Sequence, residues 1–466
     1  MNRVVVVGGG PGGYEAALVA AQLEADVTVV DTDGIGGSAV LTDCVPSKTL
    51  IATAELMAEM EEADELGIRA TGADQGLRAD LHRVNVRVKR LALAQSSDIE
   101  ARLTREGVRV LRARARLDGP QRVVATLTGG SGQDGAEESL EADAILVATG
   151  AAPRTLESAR PDGERILSWE QVYDLHEVPE KLIVVGSGVT GAEFASAYNA
   201  LGVDVTLVSS RDRVLPGEDA DAAEVLEQVF KRRGMTVLGR SRMESVDRDG
   251  DSVTVTLTDG RSVVGSHCLL ALGSVPNTAD MGLETAGVDL GNGGFVTVDR
   301  VSRTSARGVY AAGDCTGVLM LASVAAMQGR IAMWHFLGDA VAPLNLRAVS
   351  SNVFTAPEIA TVGWTQNEVD AGSIAAESFT LQLSGNPRAK MQGVRDGFVK
   401  LFARPGTGIV VGGVVVGPRA SELIHPVAIA VSQSLTADEL AHAFTVYPSM
   451  SGSVAETARR LHRFRT

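Results

Sequence analysis

Short unbroken runs of apolar residues, each leading into a glycine turn, recur along the chain. Val4 to Val7 run into Gly8-Gly-Gly10, and Leu182 to Val185 run into Gly186. Ala144-Ile-Leu-Val-Ala-Thr-Gly150, Cys268-Leu-Leu-Ala-Leu-Gly273 and Gly308-Val-Tyr-Ala-Ala-Gly-Asp314 repeat the form. Such runs, bounded by turn formers, predict buried strands. Helical stretches separate them: Tyr14 to Leu23, Thr49 to Leu66, and a segment that places Leu77, Leu81, Val84, Val88 and Leu91 on one helix face. From about Ala342 the pattern changes. Strand-like runs such as Gly408-Ile-Val-Val-Gly-Gly-Val-Val-Val416 alternate there with short helices, which reads as a separate α+β domain.

Two of the runs open the same unit. Gly8, Gly10 and Gly13 satisfy GxGxxG between a strand and a helix, and a second strand, Val27 to Val30, ends at Asp31. The first glycine makes the tight turn, the second lets backbone approach a pyrophosphate, and the third lets helix pack on strand. The helix N-terminus offers free N–H groups to the phosphates, and Asp31 is placed to accept hydrogen bonds from an adenosine ribose. Gly186, Gly188 and Gly191 repeat the motif, followed by a helix through Ala200 and a strand from Val203 to Val208. Two dinucleotides are therefore expected. The second unit ends in Ser209-Ser210-Arg211-Asp212-Arg213, without a carboxylate at the strand tip. Arginine there attracts a 2′-phosphate, so NADPH is accommodated and NADH stays possible; solvated loop charges are the other reading of Arg211 and Arg213.

Composition narrows the class of protein. At 466 residues the chain is long enough for two to four domains with full apolar cores. A formal net charge of -15 argues against nucleic acid or an anionic membrane as partner. Three cysteines, Cys44, Cys268 and Cys315, form neither a disulfide framework nor a metal-ligand spacing, which suits a reducing cytoplasm. The seven histidines form no metal-spaced cluster either, so no metal is expected. The N-terminal stretch has no leader-like apolar region, and no run approaches the ~18 apolar residues of a membrane span.

GGGPGG, VPSK, ILVATGAAPR, VVGSGVTGAEFA, LGSVPNT, VYAAGDCTG, NVFTAPEIATVGWT, NPRAKMQG and VVGPRASELI follow one another in the order of a known family. Over essentially its whole length the chain resembles the FAD-dependent pyridine nucleotide-disulfide oxidoreductases, the group of lipoamide dehydrogenase, glutathione reductase and mercuric reductase. The resemblance implies an α/β fold: two Rossmann-like dinucleotide-binding domains plus a C-terminal α+β dimerisation domain. FAD would be held by residues 1–150 and a return segment 275–341, NAD(P) by residues 151–274, and a homodimer contact by residues 342–466. It places FAD on Gly8, Gly10, Gly13, Asp31, Gly37, Ser38, Ala115, Thr149 and Gly150. Asp314 would hold the ribityl chain, and Met320, Leu321 and Ala322 would begin a helix aimed at the isoalloxazine ring. NADPH or NADH falls on Gly186, Gly188, Gly191, Ser210, Arg211 and Gly273. Lys48 would sit at the flavin with Glu193 as its partner, since a buried lysine needs a counter-charge.

Departures from the family pattern shift the expected acceptor. Disulfide-reducing members carry two cysteines separated by four residues before the Pro-Ser-Lys run; here the second is Cys44 and the first position holds Ala39. Near the C-terminus, Thr445-Val-Tyr-Pro-Ser-Met-Ser-Gly452 puts Tyr447 and Gly452 where those members carry a histidine and the glutamate that orients it. An unperturbed tyrosine titrates near ~10 and is a poor base at neutral pH. With disulfide and acid–base pair both missing, thiol exchange is closed, while a quinone takes electrons from reduced flavin directly. The expectation is an NAD(P)H:quinone oxidoreductase acting through FAD, with Lys48, Glu193 and Cys44 as the candidate catalytic residues. A single-thiol reductase using Cys44, a flavin transhydrogenase and a non-enzymatic redox subunit are the rival readings.

Overall fold

Valines 4 to 7 explain the first sheet. Val4 and Val6 pack with Val27, Val29 and Leu146 on one face, while Val5 and Val7 pack with Val30, Ile145 and Val147 on the other. A strand covered on both faces needs β-branched residues at every position, which suits a parallel sheet. A computed structural model describes residues 1–61, 63–68, 78–128 and 134–462. It divides into two compact units: Met1–Thr49, Asn85–Arg154 and Gly273–Asn345 in one, and Leu50–Val84, Thr155–Leu272 and Leu346–Thr466 in the other.

The first unit holds a seven-stranded sheet. Its order is Val309–Ala311, Ala144–Val147, Arg3–Val7, Asp26–Asp31, Arg109–Leu117, Arg122–Leu127 and Glu137–Glu141. The first five are parallel and the last two fold back antiparallel. Helix Pro11–Gln22 starts at Pro11 rather than Tyr14, because proline's fixed φ and missing N–H suit a helix's first position. It packs on helix Ala322–Leu337 at glycine distance: a Cβ on Gly329 would lie 2.0 Å from the Gly12 carbonyl oxygen.

The second unit contains two principal sheets. A five-stranded parallel sheet runs Thr236–Leu238, Asp204–Val208, Lys181–Val185, His267–Leu270 and Ile166–Ser168. A five-stranded antiparallel sheet runs Ser350–Val353, Glu358–Gly363, Val410–Gly417, Phe398–Ala403 and Glu377–Gln382. Ala360, Val399 and Val415 of that sheet share a core with Val427 and Ala430 of helix His425–Gln433 and Val454 of helix Gly452–Arg460.

Helix boundaries required adjustment. The helix expected from Thr49 begins at Cys44 and runs to Glu61, with a 3-10 turn over Ala63–Leu66. In helix Leu81–Arg105 the buried stripe follows Leu81, Asn85, Val88 and Ala92, leaving Leu91 at 36% exposure. Leu77 lies outside the described residues. No helix among the described residues is long and apolar enough to cross a membrane.

One buried ion cluster ties the second unit together. Lys400, 3% exposed in strand Phe398–Ala403, donates to Asp219 Oδ1 and Oδ2 at 3.0 and 2.8 Å and to Asp221 Oδ2 at 2.6 Å. Asp219 also caps helix Ala220–Arg232, accepting from the Asp221 and Ala222 N–H groups. Removing one member of a buried pair strands the other charge. Lys400→Met is expected to cost about 3 kcal/mol, seen as a lowered urea midpoint. A midpoint within error of the parent would show that the cluster contributes no net stability.

Candidate functional site

The first glycine turn is built by backbone meeting backbone. Gly8, at φ 105, lies against strand Ala144–Val147: an added Cβ would fall 2.3 Å from the Ala148 carbonyl oxygen. A Cβ on Gly13 would fall 1.9 Å from the Gly8 oxygen. Gly10 differs, since its missing side chain faces open space with Gly37 Cα nearest at 3.9 Å. Gly37, at φ 58, presses on Gly10 from the short helix Gly37–Leu41, which also carries Ser38 and Ala39. No side chain caps helix Pro11–Gln22, so its N-terminal end stays available to an anion.

Asp31 closes this cradle from below. Its Oδ2 accepts the Gly9 N–H at 2.6 Å, and its Oδ1 accepts the N–H groups of Asp33 and Gly34 at 2.9 and 2.7 Å. Three of roughly four acceptor sites on the carboxylate are therefore taken by the loop. Asp31 is thus a loop brace with one acceptor site left over, a task that its spacing alone did not show. Ala115 sits half-buried in strand Arg109–Leu117, paired with Ala125.

Further along the same unit, Thr149 and Gly150 are cross-braced to Asn277. Thr149 Oγ1 donates to the Asn277 carbonyl at 2.7 Å, and Asn277 Nδ2 and N donate back to Thr149 O and Gly150 O, each at 3.0 Å. Asp314 follows Gly313, whose N–H donates to the buried Gln328 Oε1 at 2.8 Å. Burial, with a lesser push from neighbouring Asp43, raises the Asp314 carboxyl to about 6. Met320 and Leu321 precede helix Ala322–Leu337, whose N-cap residue Leu321 offers no side-chain acceptor. Cys44 and Lys48 lie in the first turns of helix Cys44–Glu61, both half-buried, and Pro46 and Ser47 between them are buried. Cys315 is different in kind: it is fully buried, its Sγ faces the carbonyls of Val147 and Ala312, and burial pushes it up to about 11. Cys268 is likewise buried and raised, which leaves Cys44 as the half-buried thiol of the three.

In the second unit the glycine turn recurs almost atom for atom. A Cβ on Gly186 would lie 2.1 Å from Ala271 O, one on Gly191 would lie 1.8 Å from Gly186 O, and one on Gly188 would meet nothing within 4 Å. Gly8 N donates to Val30 O at 2.8 Å and Gly186 N to Val208 O at 2.9 Å, so Ser209 occupies the place of Asp31. Ser209 is buried, and its Oγ meets Ser187 Oγ at 2.6 Å. Ser210 and Arg211 follow it and are exposed. Arg213 Nη2 donates to the carbonyls of Pro216 and Glu218, each at 3.2 Å.

Glu193 is 4% exposed on helix Val189–Ala200, and its Oε1 accepts the Phe354 N–H at 2.9 Å. Gly273, at φ 82, belongs to the first unit. Tyr447 is 83% exposed, within an apolar stretch that also exposes Phe444 and Val446. Asn277 and Gln328 escaped the sequence reading. Asn277 stands inside the quoted LGSVPNT run, and Gln328 is a lone amide amid the apolar residues of its helix; each was visible as a residue but not as a brace.

Comparison with known proteins agrees with this geometry. Residues 2–329 match the family described as pyridine nucleotide-disulphide oxidoreductase, and residues 349–458 match that family's dimerisation domain. An NAD(P)H dehydrogenase (quinone) of Mycobacterium tuberculosis is 56% identical over 465 residues, covering 99% of this chain and 94% of that one. A dihydrolipoyl dehydrogenase of Chlorobaculum parvum is 34% identical over 459 residues, covering 98% and 96%. The crystal structure of LpdA from Mycobacterium tuberculosis superposes with a TM-score of 0.94 at 56% identity, over 99% of this chain and 100% of that chain. With two glycine cradles, an inserted parallel sheet and a C-terminal antiparallel sheet in this order, the chain belongs to the pyridine nucleotide-disulphide oxidoreductase family.

Proposed function

We propose that the protein is an FAD-dependent NAD(P)H:quinone oxidoreductase that works without a disulfide relay. The observation that carries the reading is a contrast within one chain: both dinucleotide cradles are complete, while Ala39 and Tyr447 replace the sulfur and the base that disulfide exchange requires. The name of the 56% identical mycobacterial relative, NAD(P)H dehydrogenase (quinone), supports the same acceptor.

The residues of the first unit fit FAD. Gly10 leaves room for a pyrophosphate at an uncapped helix end, and Asp31 keeps one acceptor site for the ribose. Ser38, Ala115, Thr149 and Gly150 would line the rest of the cofactor, and Asp314 supplies a half-buried carboxyl that a ribityl hydroxyl would satisfy. Helix Ala322–Leu337, entered through Met320 and Leu321, would offer its positive end to a ring that gains negative charge on reduction. When bound, FAD supplies a two-electron centre between nicotinamide and acceptor.

In this proposal Gly186, Gly188 and Gly191 hold the pyrophosphate of NADPH or NADH, with Ser210, Arg211 and Gly273 beside the nucleotide. Lys48 would orient the flavin edge, and Glu193, already fixed by the Phe354 N–H, is the second candidate catalytic group. Cys44 contributes packing. A homodimer formed through residues 349–458 and a cytoplasmic setting, in which free thiols persist, complete the reading.

An anaerobic titration tests it. NADPH or NADH should reduce the flavin, a small para-quinone should reoxidise it, and lipoamide should not; rapid lipoamide turnover would overturn the reading. Cys44→Ser should keep most quinone activity, whereas loss of that activity with flavin retained would point to single-thiol chemistry. Glu193→Gln should slow flavin reduction more than reoxidation, as stopped-flow traces would show.

Asp314 adds a pH signature. Its folded carboxyl titrates at about 6, above the ordinary ~4, so native apoprotein holds a proton that the unfolded chain releases. Apoprotein stability from this group is present below pH ~4 and is lost as pH rises through about 6. Thermal midpoints of parent apoprotein should fall across that window relative to Asp314→Asn; parallel curves would refute the assignment.

A further inference from the structure

Helix Leu81–Arg105 carries on its outer face a chemistry opposite to that of the acidic chain around it. We infer that Arg83, Arg87 and Arg90, with the exposed aliphatic side chains of Val86 and Leu93, form a docking face for an anionic lipid bilayer. Docking of this kind goes beyond the quinone reading and does not depend on which acceptor the flavin serves.

The inner face fixes the helix. Leu81, Val88, Ala92 and Leu103 are buried, and the buried Ser96 donates its hydroxyl to the Ile35 carbonyl at 2.5 Å. With that stripe held inward, the 3.6-residue period decides which side chains point out. Arg83, Arg87 and Arg90 follow at i, i+4 and i+7, all exposed, within ~10 Å of helix length. Val86 and Leu93 lie one turn to either side of Arg90 and are 53% and 62% exposed.

The charge of this face is not cancelled locally. Arg83, Arg87, Lys89 and Arg90 are charged, and no carboxylate stands between Leu81 and Ser97. Asp80, just before the helix, accepts the Arg83 backbone N–H at 3.0 Å, which commits its Oδ1 to the helix start. Arg83, Arg87 and Arg90 form no ion pair among the described residues. The formal charge of -15 repels an anionic surface from the chain as a whole, but physiological salt screens that repulsion beyond ~8 Å and leaves the nearest charges to decide. The aliphatic neighbours then select a bilayer. Guanidinium groups pair with lipid phosphates while Val86 and Leu93 enter the boundary between headgroups and acyl chains, as in helices that lie on a membrane. A nucleic acid offers phosphates but no apolar layer, and the aromatic rings on which its bases stack are absent between Leu81 and Ser97. Each arginine at an anionic leaflet contributes roughly fivefold in partitioning, so attachment is reversible and salt-dependent.

Flotation of the holoenzyme with vesicles tests the face. Vesicles of phosphatidylcholine with one-third phosphatidylglycerol should carry the protein in low salt and release it at about 0.5 M NaCl, while phosphatidylcholine alone should carry little. The triple variant Arg83→Gln, Arg87→Gln, Arg90→Gln should lower the partition coefficient roughly a hundredfold, with flavin content, subunit state and flavin reduction by NAD(P)H unchanged. Leu93→Ser should weaken binding roughly fivefold and leave its salt dependence in place. A parent that does not float, or a triple variant that floats as well as the parent, would overturn the inference. Dissociation of the native oligomer in the triple variant would assign the face to a subunit contact, and a single-stranded oligonucleotide that displaces the vesicles would assign it to nucleic acid; either result removes the bilayer as partner.

Discussion

Close contact between main-chain atoms at the carboxyl edge of a parallel sheet is the constraint on which everything else rests. At both turns the first glycine lies against the carbonyl of a neighbouring strand end, Ala148 or Ala271, and the third lies against the first. A side chain at either place would collide with backbone that has nowhere to move. The middle glycine is the exception, because no protein atom crowds the place of its missing side chain. One geometric rule therefore fixes the helix, its uncapped amino end and the strand tip beside it, and the chain applies that rule twice.

What could be seen in the sequence follows from how far each feature reaches. The glycine turns, their strands and their helices were legible because each is set by neighbours within a few residues. Arg213 shows what a sequence leaves out: its Nη2 turns back to the carbonyls of Pro216 and Glu218 on its own loop. Leu91 shows another limit. A helix with 3.6 residues per turn lets the buried stripe pass through either i+3 or i+4, and here it takes Ala92.

Asp31 and Ser209 show one turn braced in two ways. Asp31 holds it through the Gly9 N–H and Ser209 through the Ser187 hydroxyl. The carboxylate retains a free acceptor and brings negative charge with it, whereas the serine does the structural work without charge. Ala39 sits in the short helix Gly37–Leu41, between the glycine turn and the helix that carries Cys44 and Lys48.

The cluster of Lys400 with Asp219 and Asp221 carries a consequence for modularity. Family boundaries put Lys400 in the dimerisation segment and both aspartates in the nucleotide-binding segment. A lysine buried in a strand cannot keep its charge alone, so the segment that matches the dimerisation domain depends on the other for its own interior. Evolutionary domains and folding units do not coincide in this chain. Grafting or excising either segment would break this ion cluster, even though each segment has an apolar core of its own.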